Sequence, residues 1–329
     1  MAHTLGGPNL HFMQLQPRAV TPEDADDVAA LMARVAEDHP TGFELAASEV
    51  IELLSDYPGV VFEGGWDGDE LVAYTTILPR TSSDGIHPFL FFGDVDPAHL
   101  GRGLGTLMLG RAVAAAREVH EREAPAEKVR FGTRALEGRA EQADLLTDHG
   151  FVLDRHNFLM VSSLDAVPDL VLPDDLTLST VDPADSEELR AAQNLAFADY
   201  PSYSDIDEAN WTAFMVTGAH VRNAQSFVLR DPARDHAAAA YVFTHEYAVA
   251  PSGERGREAY VAYVGTLPGY RGRGLATNLL AHTLHACKAA GFDTSSLDVD
   301  TANPTGALGI YERAGYAVRY RQDSYALVE

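Results

Sequence analysis

The second half of this 329-residue chain repeats a segment of the first half. Residues 97–109 read PAHLGRGLGTLML, and residues 268–280 read PGYRGRGLATNLL, so the two segments lie 171 residues apart. Downstream, the dipeptide Gly-Phe at 150–151 recurs as Gly-Tyr at 315–316. A repeat with so long a period indicates two whole domains, because the repeats of a solenoid are only about 20 to 50 residues long. The chain length predicts the same number of domains.

The hydrophobic pattern predicts the same order of elements in each half: a strand, two helices, three strands, a helix, a strand, a short helix and a last strand. We therefore predict domains at 15–164 and 176–329, joined by a proline- and aspartate-containing linker at 165–175. Residues 1–14 are predicted to be a flexible leader, because they contain neither the basic segment nor the long apolar stretch of a secretion signal.

Each repeated segment joins a β-type run to a helix-compatible run. Small residues there let the backbone turn tightly and approach a ligand. The free N–H groups of the following helix, together with arginine side chains, favour a phosphate or pyrophosphate. The residues predicted to bind it are Arg271, Gly272, Arg273, Gly274, Ala276 and Thr277 in the second half, and Gly101, Arg102, Gly103, Gly105 and Thr106 in the first half.

The pattern Arg-x-x-Gly-x-Ala at 271–276 resembles the acyl-CoA pyrophosphate loop of the GNAT family of N-acetyltransferases. Residues 297–316, LDVDTANPTGALGIYERAGY, resemble the second motif of that family. The resemblance covers nearly the whole chain after residue 14. It implies an α/β fold of two tandem GNAT domains, each a mixed, mostly antiparallel sheet flanked by helices, with acetyl-CoA or another acyl-CoA as co-substrate.

The resemblance also implies roles for residues of the second half. Tyr311 would protonate the thiolate of CoA, and Asn303 would bond the pantetheine arm. A thiol near pKa 8.5 and a phenol near 10 are close enough for this transfer. The arm would lie along the loop-bearing strand like an added strand, so Val264, Gly265 and Thr266, and Val95 in the first half, are expected to contact the acyl-CoA.

The general base is less clearly marked. The family often uses a carboxylate, or a water held by one, on the strand before the loop. Glu258 opens that strand and is the predicted base, acting through water, whereas His245 and Glu246 end the strand before it. Each of these residues could equally be a polar strand-end residue that faces solvent and has no catalytic role.

The first half lacks the corresponding groups. Leu146 and Gly138 stand where Tyr311 and Asn303 stand, and Leu100 replaces Arg271. We therefore predict that the first domain is non-catalytic. The resemblance implies that it holds a resident acetyl-CoA as a structural ligand; an empty scaffold is the alternative.

The charge balance excludes some partners. With 24 Lys and Arg against 49 Asp and Glu, the formal charge of −25 argues against nucleic acid and suits a cationic substrate. No apolar run is long enough to span a membrane. The single cysteine, Cys287, permits no internal disulfide and fits a cytoplasmic protein. Cys287 lies at helical spacing from Leu280 and Leu284, which predicts a position in the core. His282 and His285 are three residues apart, but no set of Cys or carboxylate residues completes a metal site with them, so none is predicted.

The sequence thus predicts an N-acyltransferase that transfers an acyl group from CoA directly to a small-molecule amine, as tandem GNAT enzymes of antibiotic gene clusters do. The aromatic and acidic stretch at 197–208 is a candidate acceptor site. Two alternatives stay open: a non-catalytic acyl-CoA-binding or sensing protein, and a protein N-acetyltransferase. Monomer and homodimer are equally compatible with the sequence.

Overall fold

The computed structural model describes residues 15–37, 40–82, 84–200, 203–301 and 306–329. The predicted leader at 1–14 and the predicted pantetheine ligand Asn303 lie outside these residues. The strands are β1 (Gln16–Ala19), β2 (Val61–Asp67), β3 (Glu70–Pro79), β4 (Ile86–Val95), β5 (Lys128–Leu136), β6 (Val152–Ser162), β7 (Thr177–Thr180), β8 (Phe227–Asp231), β9 (Ala237–His245), β10 (Glu258–Thr266), β11 (Thr294–Asp300) and β12 (Ala317–Val328). The helices are α1 (Ala25–Val35), α2 (Ala47–Asp56), α3 (Leu104–Glu123), α4 (Ala140–Asp148), α5 (Ser186–Phe197), α6 (Glu208–Thr212), α7 (Leu275–Ala289) and α8 (Ala307–Arg313).

The described strands form one sheet in the order β1-β2-β3-β4-β5-β12-β6-β11-β10-β9-β8-β7. Only β4 with β5 and β10 with β11 pair in parallel, and the other neighbours are antiparallel. The predicted fold class, a mixed and mostly antiparallel sheet flanked by helices in each half, is therefore confirmed. Within this one sheet, the strands of the first half and those of the second half meet edge to edge.

The last strands of the two halves are exchanged. β6 ends the first half of the sequence but pairs with β11, from Ser162 opposite Ser295 to Asn157 opposite Asp300. β12 ends the second half but pairs with β5. β6 and β12 also pair with each other at the centre of the sheet. The domain boundaries at 164 and 176 remain a prediction. In the sheet, strands from opposite sides of these boundaries are hydrogen-bonded to each other.

Four apolar clusters hold helices against the sheet, two in each half. In the first half, Val28 and Leu31 of α1 pack on Phe62, while Ala116 of α3 packs with Phe131. In the second half, α5 and α6 pack in one cluster, and α7 and α8 pack in another. The exchanged β6 contributes the fully buried Met160 to the α7 cluster, so exchange adds apolar burial as well as hydrogen bonds.

Two further features concern predictions made above. Cys287 lies on the buried face of α7, as predicted, and burial raises the pKa of its thiol to about 12. No helix in the part of the chain that the structure describes is long and apolar enough to cross a membrane.

Strand exchange predicts that the two halves stay together after the chain is cut between them. A protease site inserted after Asp169, whose side chain is fully exposed, separates the halves covalently but leaves β6 between β11 and β12. We expect the cleaved protein to elute in size-exclusion chromatography at the position of the intact protein and to unfold in one transition. Elution as two smaller species under native conditions would contradict the exchange.

Candidate active site

The two repeated loops have the same backbone conformation. Gly101 and Gly103 have φ angles of 71° and 77°, and Gly272 and Gly274 have 77° and 74°. These values lie in the left-handed region that favours glycine. A Cβ atom added at any of the four would meet no atom within 4 Å. The glycines are therefore required by conformation, and the space beside each loop is open. α3 and α7 begin directly after the loops, so their first N–H groups face that space.

The predicted phosphate-binding arginines of the second loop are paired with carboxylates. Arg271 Nη1 lies 3.2 Å from Asp199 Oδ2, and Arg273 Nη2 lies 2.7 Å from Asp175 Oδ1. Both carboxylates are well exposed, at 80% and 64%. Exposed pairs of this kind contribute only about 0–1 kcal/mol, so a bound phosphate can replace them. In the first loop, Arg102 donates a hydrogen bond to the carbonyl of Ala98 at 3.1 Å.

A β-bulge opens the sheet beside the second loop. β10 pairs with β11 only from Glu258 to Tyr260, and its register against β9 shifts between Val261 and Tyr263. Such a bulge bends the strand and ends local pairing. Beyond it lies a cavity of about 230 Å³, here called the thioester cleft. It is lined by Phe197, Tyr200, Tyr203, Val261, Ala262, Tyr263, Val264, Leu297, Asp298, Val299, Asp300 and Tyr311.

The predicted acyl-CoA residues of β10 relate to this cleft in different ways. Val264 lines it. Gly265 is required by a close approach, because an added Cβ would lie 2.1 Å from the hydroxyl of Tyr241. Thr266 ends the strand. Contacts of these residues with an acyl-CoA remain predictions, as do those of the loop residues Ala276 and Thr277.

Tyr311 reaches the thioester cleft from α8, where its ring meets that of Tyr316 edge-on at 6.3 Å. Burial raises the pKa of its phenol to about 12. The side chain is therefore protonated at neutral pH and able to donate a proton into the cleft. Its role as the acid stays a prediction.

Glu258 is held away from the cleft. Its carboxylate is 3% exposed and accepts hydrogen bonds from the N–H of Ser252 at 3.2 Å and from the hydroxyl of Ser296 at 2.6 Å. The hydroxyl of Ser252 also donates to it, as does that of Thr294 at 3.4 Å. The structure therefore does not bring Glu258 together with Tyr311; this carboxylate ties the start of β10 to its neighbours.

The other two base candidates, His245 and Glu246, do not line the thioester cleft. His245 is 2% exposed, and burial places the pKa of its imidazole well below the usual value. Glu246 pairs with Arg222 at 2.7 Å and with Arg257 at 2.8 Å.

The aromatic and acidic stretch at 197–208 divides between two tasks. Phe197, Tyr200 and Tyr203 line the thioester cleft. Asp207 instead caps α6 by accepting a hydrogen bond from the N–H of Asn210 at 2.8 Å, and it also bonds the hydroxyl of Thr81 in the first half. The aromatic part of the predicted acceptor site thus lies at the cleft, while this carboxylate has a structural partner.

A second cavity, of about 210 Å³, lies between the two halves and is here called the acidic cavity. Sequence reasoning missed it, because its walls come from both halves. Its carboxylates are Glu44, Glu49, Glu52, Asp56 and Asp298, and its rings are Phe43, Tyr57, Phe92, Phe214, Tyr247 and Tyr260. Arg80 and His220 are its basic members, and burial lowers the pKa of His220, which favours the neutral imidazole. The spacing of the three acidic residues on α2 was the available signal.

Known proteins resemble the chain over both halves. The model of the Acetyltransferase (GNAT) family matches residues 28–129 and 187–316. The chain belongs to the GNAT family. A mycothiol acetyltransferase from Nocardia farcinica is 30% identical to it over 314 residues, which are 92% of this chain and 94% of that protein. Another from Thermobispora bispora is 29% identical over 302 residues, covering 90% and 93%.

Solved structures share the tandem architecture. A GCN5-related N-acetyltransferase from Sphaerobacter thermophilus has a TM-score of 0.74 at 23% identity and covers 95% of each chain. The tandem GNAT protein from the clavulanic acid biosynthesis pathway has a TM-score of 0.70 at 14% identity, covering 96% of this chain and 98% of its own. The predicted family and the tandem fold are confirmed. The chain is an acetyltransferase of a fold that implies acetyl-CoA as co-substrate.

In the first half of this GNAT chain, side chains link the strands that correspond to those beside the thioester cleft. β4 keeps one register against β3 along its length and pairs with β5 from Ile86 to Leu90. Just beyond, the hydroxyl of Thr133 on β5 donates to the carbonyl of Phe91 on β4 at 3.1 Å. Gln142 accepts from the N–H of Leu136 at 3.1 Å and donates to Asp94 at 3.3 Å. Side chains thus bridge the space that corresponds to the thioester cleft.

Replacement of Tyr311 by phenylalanine removes the phenol hydroxyl and leaves the ring in place. If Tyr311 protonates the leaving thiolate, kcat should fall about 100-fold or more, with acetyl-CoA binding unchanged. The release of CoA thiol, measured at fixed times, gives kcat, and calorimetry gives the affinity for acetyl-CoA. Tyr325→Phe, which alters a tyrosine packed on the first-half core, is the matched control. Equal activity of Tyr311→Phe and Tyr325→Phe would exclude the role.

Asp94 predicts a pH dependence of stability. Burial raises the pKa of its carboxyl from 3.8 to about 7. The folded state therefore favours the neutral acid, and the free energy of unfolding falls as pH rises from about 4 to 7, by up to about 4 kcal/mol. Asp94→Asn should lose that dependence. Urea denaturation of both proteins at pH 5 and pH 8 measures it, and identical pH dependence in the two would contradict the assignment.

Proposed function

We propose that the second half of the chain transfers the acetyl group of acetyl-CoA to a small cationic amine. The observation that carries the proposal is the continuity of three features at one place. The glycine loop leads from the end of β10, the bulge opens the thioester cleft along that strand, and Asp298 joins the cleft to the acidic cavity. We further propose a cytoplasmic location, in keeping with the single buried Cys287.

Each part of the second half has a task in this proposal. The N–H groups of the loop from Gly272 to Gly274 and of the first turn of α7 bind the pyrophosphate. The edge of β10 at Val264 takes the pantetheine amides, and Asn303 assists by resemblance to the family. Tyr311 donates its proton to sulfur as the C–S bond breaks and the N–C bond forms. Because the nitrogen attacks the thioester directly, no acyl-enzyme forms.

The acidic cavity supports a cationic acceptor. Its carboxylates outnumber its only permanently charged cation, Arg80, which lies 5.9 Å from the ring centroids of Tyr57 and Phe214. An ammonium group gains Coulomb energy from the carboxylates and cation–π energy from the rings. Full-length relatives are named mycothiol acetyltransferases, and a role in secondary metabolism is suggested by the clavulanic acid pathway protein. The cavity volume of about 210 Å³ favours a small molecule over a protein chain.

Exchange of single carboxylates tests the acceptor. Wild-type protein with acetyl-CoA is incubated with tyramine, spermidine and D-glucosamine, and acetylated products are identified by mass spectrometry. Glu49→Gln and Glu52→Gln each keep a hydrogen-bond acceptor for the N–H of Ala248 and Ala219 but remove a charge. We expect the KM of the cationic amine to rise about fivefold with that of acetyl-CoA unchanged.

The exposed Glu118 on α3 offers the charge-matched control, Glu118→Gln, which should leave both KM values unchanged. Acetylation of peptides in preference to every small amine would contradict the proposed acceptor class. Thiol release that needs no acceptor at all would contradict transfer.

We also propose one acetyl-CoA per chain, bound in the second half. Both loops can bind a pyrophosphate, but Thr133 and Gln142 bridge the strands beside the first loop, whereas the thioester cleft lies beside the second. The resident acetyl-CoA that the resemblance implies for the first half would need those side chains to move.

Matched substitutions in the two loops count and place the ligand. Gly103→Glu and Gly274→Glu each place a carboxylate beside the predicted pyrophosphate site of one loop. The φ angles of the two positions are nearly equal, at 77° and 74°, so the substitutions are matched. Native mass spectrometry with acetyl-CoA should show one ligand on wild type and on Gly103→Glu, and none on Gly274→Glu. Two ligands on wild type, one of them lost in Gly103→Glu, would establish the resident acetyl-CoA instead.

A further inference from the structure

Asp298 stands where the two cavities meet. This residue of β11 lines both the thioester cleft, which contains Tyr311, and the acidic cavity between the halves. An amine held in the acidic cavity must pass this side chain to reach a thioester in the cleft. Sequence reasoning assigned Asp298 no role, although it lies inside the second GNAT motif.

The two oxygens of Asp298 have different surroundings. Oδ2 accepts hydrogen bonds from Arg134 Nη1 at 3.2 Å and from the hydroxyl of Tyr260 at 3.3 Å. Oδ1 is buried and has no hydrogen-bond partner among the residues that the structure describes. A buried acceptor without a donor costs about 1–3 kcal/mol, and more if it is charged. A donor brought by a ligand would remove that cost.

Arg134 fixes the side chain from the other half of the sequence. It lies on β5, reaches across the exchanged strands, and is itself oriented by Gln322 Oε1 of β12 at 2.8 Å. Because Arg134 and Tyr260 both bond Oδ2, rotation of the carboxylate is restricted and Oδ1 keeps one direction. Preorganisation of this kind is what a group that acts on a substrate requires.

Comparison with Glu258 separates the two carboxylates. Glu258 already has four donors, from Ser252, Ser296 and Thr294, and lines neither cavity. Asp298 has an acceptor without a donor and lines both. Of the two, Asp298 is therefore the carboxylate that can accept a hydrogen bond from an ammonium where the two cavities meet.

We propose that Asp298 binds the acceptor ammonium through Oδ1 and takes the first of the two protons that the nitrogen loses. This rests on the proposed function of the second half. The neutral amine then forms the N–C bond while the C–S bond breaks, and Tyr311 gives its proton to sulfur. The second proton from nitrogen replaces the one that Tyr311 has given, and the proton on Asp298 passes to solvent. Arg134 and Tyr260 are positioning residues.

The test uses Asp298→Asn, the conservative Asp298→Glu and a control, Asp24→Asn. Asp24 is an Arg-paired carboxylate whose side chain is 11% exposed, bonded to Arg18 at 2.7 Å in the first half. Steady-state rates are measured from pH 6 to 9.5 with whichever of tyramine, spermidine and D-glucosamine wild type acetylates fastest, and tyramine binding to the CoA-loaded protein is measured by calorimetry.

For Asp298→Asn we expect kcat/KM for the amine to fall about 100-fold at pH 7, with the KM of acetyl-CoA unchanged. The deficit should shrink as pH rises, because free amine then supplies the neutral form without the carboxylate. Asp298→Glu should recover part of the rate, Asp24→Asn should match wild type, and tyramine should bind Asp298→Asn about tenfold more weakly.

Three results would overturn the proposal for Asp298: a rate within threefold of wild type, a deficit that is constant with pH and accompanied by weaker acetyl-CoA binding, or tyramine binding that does not change. Asp298-dependent tyramine binding without any acetyl transfer would instead overturn the proposed function and leave the binding role supported. Absence of both binding and transfer in wild type would overturn both.

Discussion

The pairing of β12 between β5 and β6 is the constraint on which the rest of this structure depends. It turns two half-sheets into one and buries side chains of each half in the core of the other. It also brings first-half side chains into contact with second-half residues. Arg134 reaches Asp298, and Glu49 and Glu52 of α2 accept hydrogen bonds from the N–H groups of Ala248 and Ala219. The acidic cavity has a wall only because the halves are held in this register.

Within that frame, duplication preserved one feature and changed another. The two glycine loops have φ angles that agree within a few degrees. The sheets beside them differ, because β10 has a bulge between Val261 and Tyr263 and β4 has no register shift against β3. The bulge lies at the thioester cleft, whereas side chains bridge the corresponding space in the first half. The first half also forms one wall of the acidic cavity.

The proposed reaction has two substrates of opposite charge, an ammonium and the anionic acetyl-CoA. The chain as a whole carries a formal charge of −25, and the acidic cavity concentrates carboxylates where an ammonium is proposed to bind. The anionic acetyl-CoA must bind despite this overall negative charge. Backbone N–H groups can do so without any net charge, and Arg271 and Arg273 are kept near the loop by exposed partners that a phosphate can displace.

The sequence by itself determined the local features of this protein: the order of strands and helices, the left-handed glycines of both loops and the absence, in the first half, of a tyrosine that corresponds to Tyr311. These depend on residues that are close in the chain, so periodicity and glycine spacing report them directly. The family also followed from sequence, because two compact motifs carry it.

Only the tertiary structure decided which strands are exchanged and that Asp298, unlike Glu258, meets the cleft. Glu258 and Asp298 are similar acids on neighbouring strands, and no local pattern distinguishes them. Donors from Ser252 and Ser296 satisfy the first, whereas Arg134, 164 residues away in the chain, positions the second and leaves one oxygen without a donor among the described residues. The chemistry of a carboxylate is set by the groups that surround it in space, and those groups are brought together by folding.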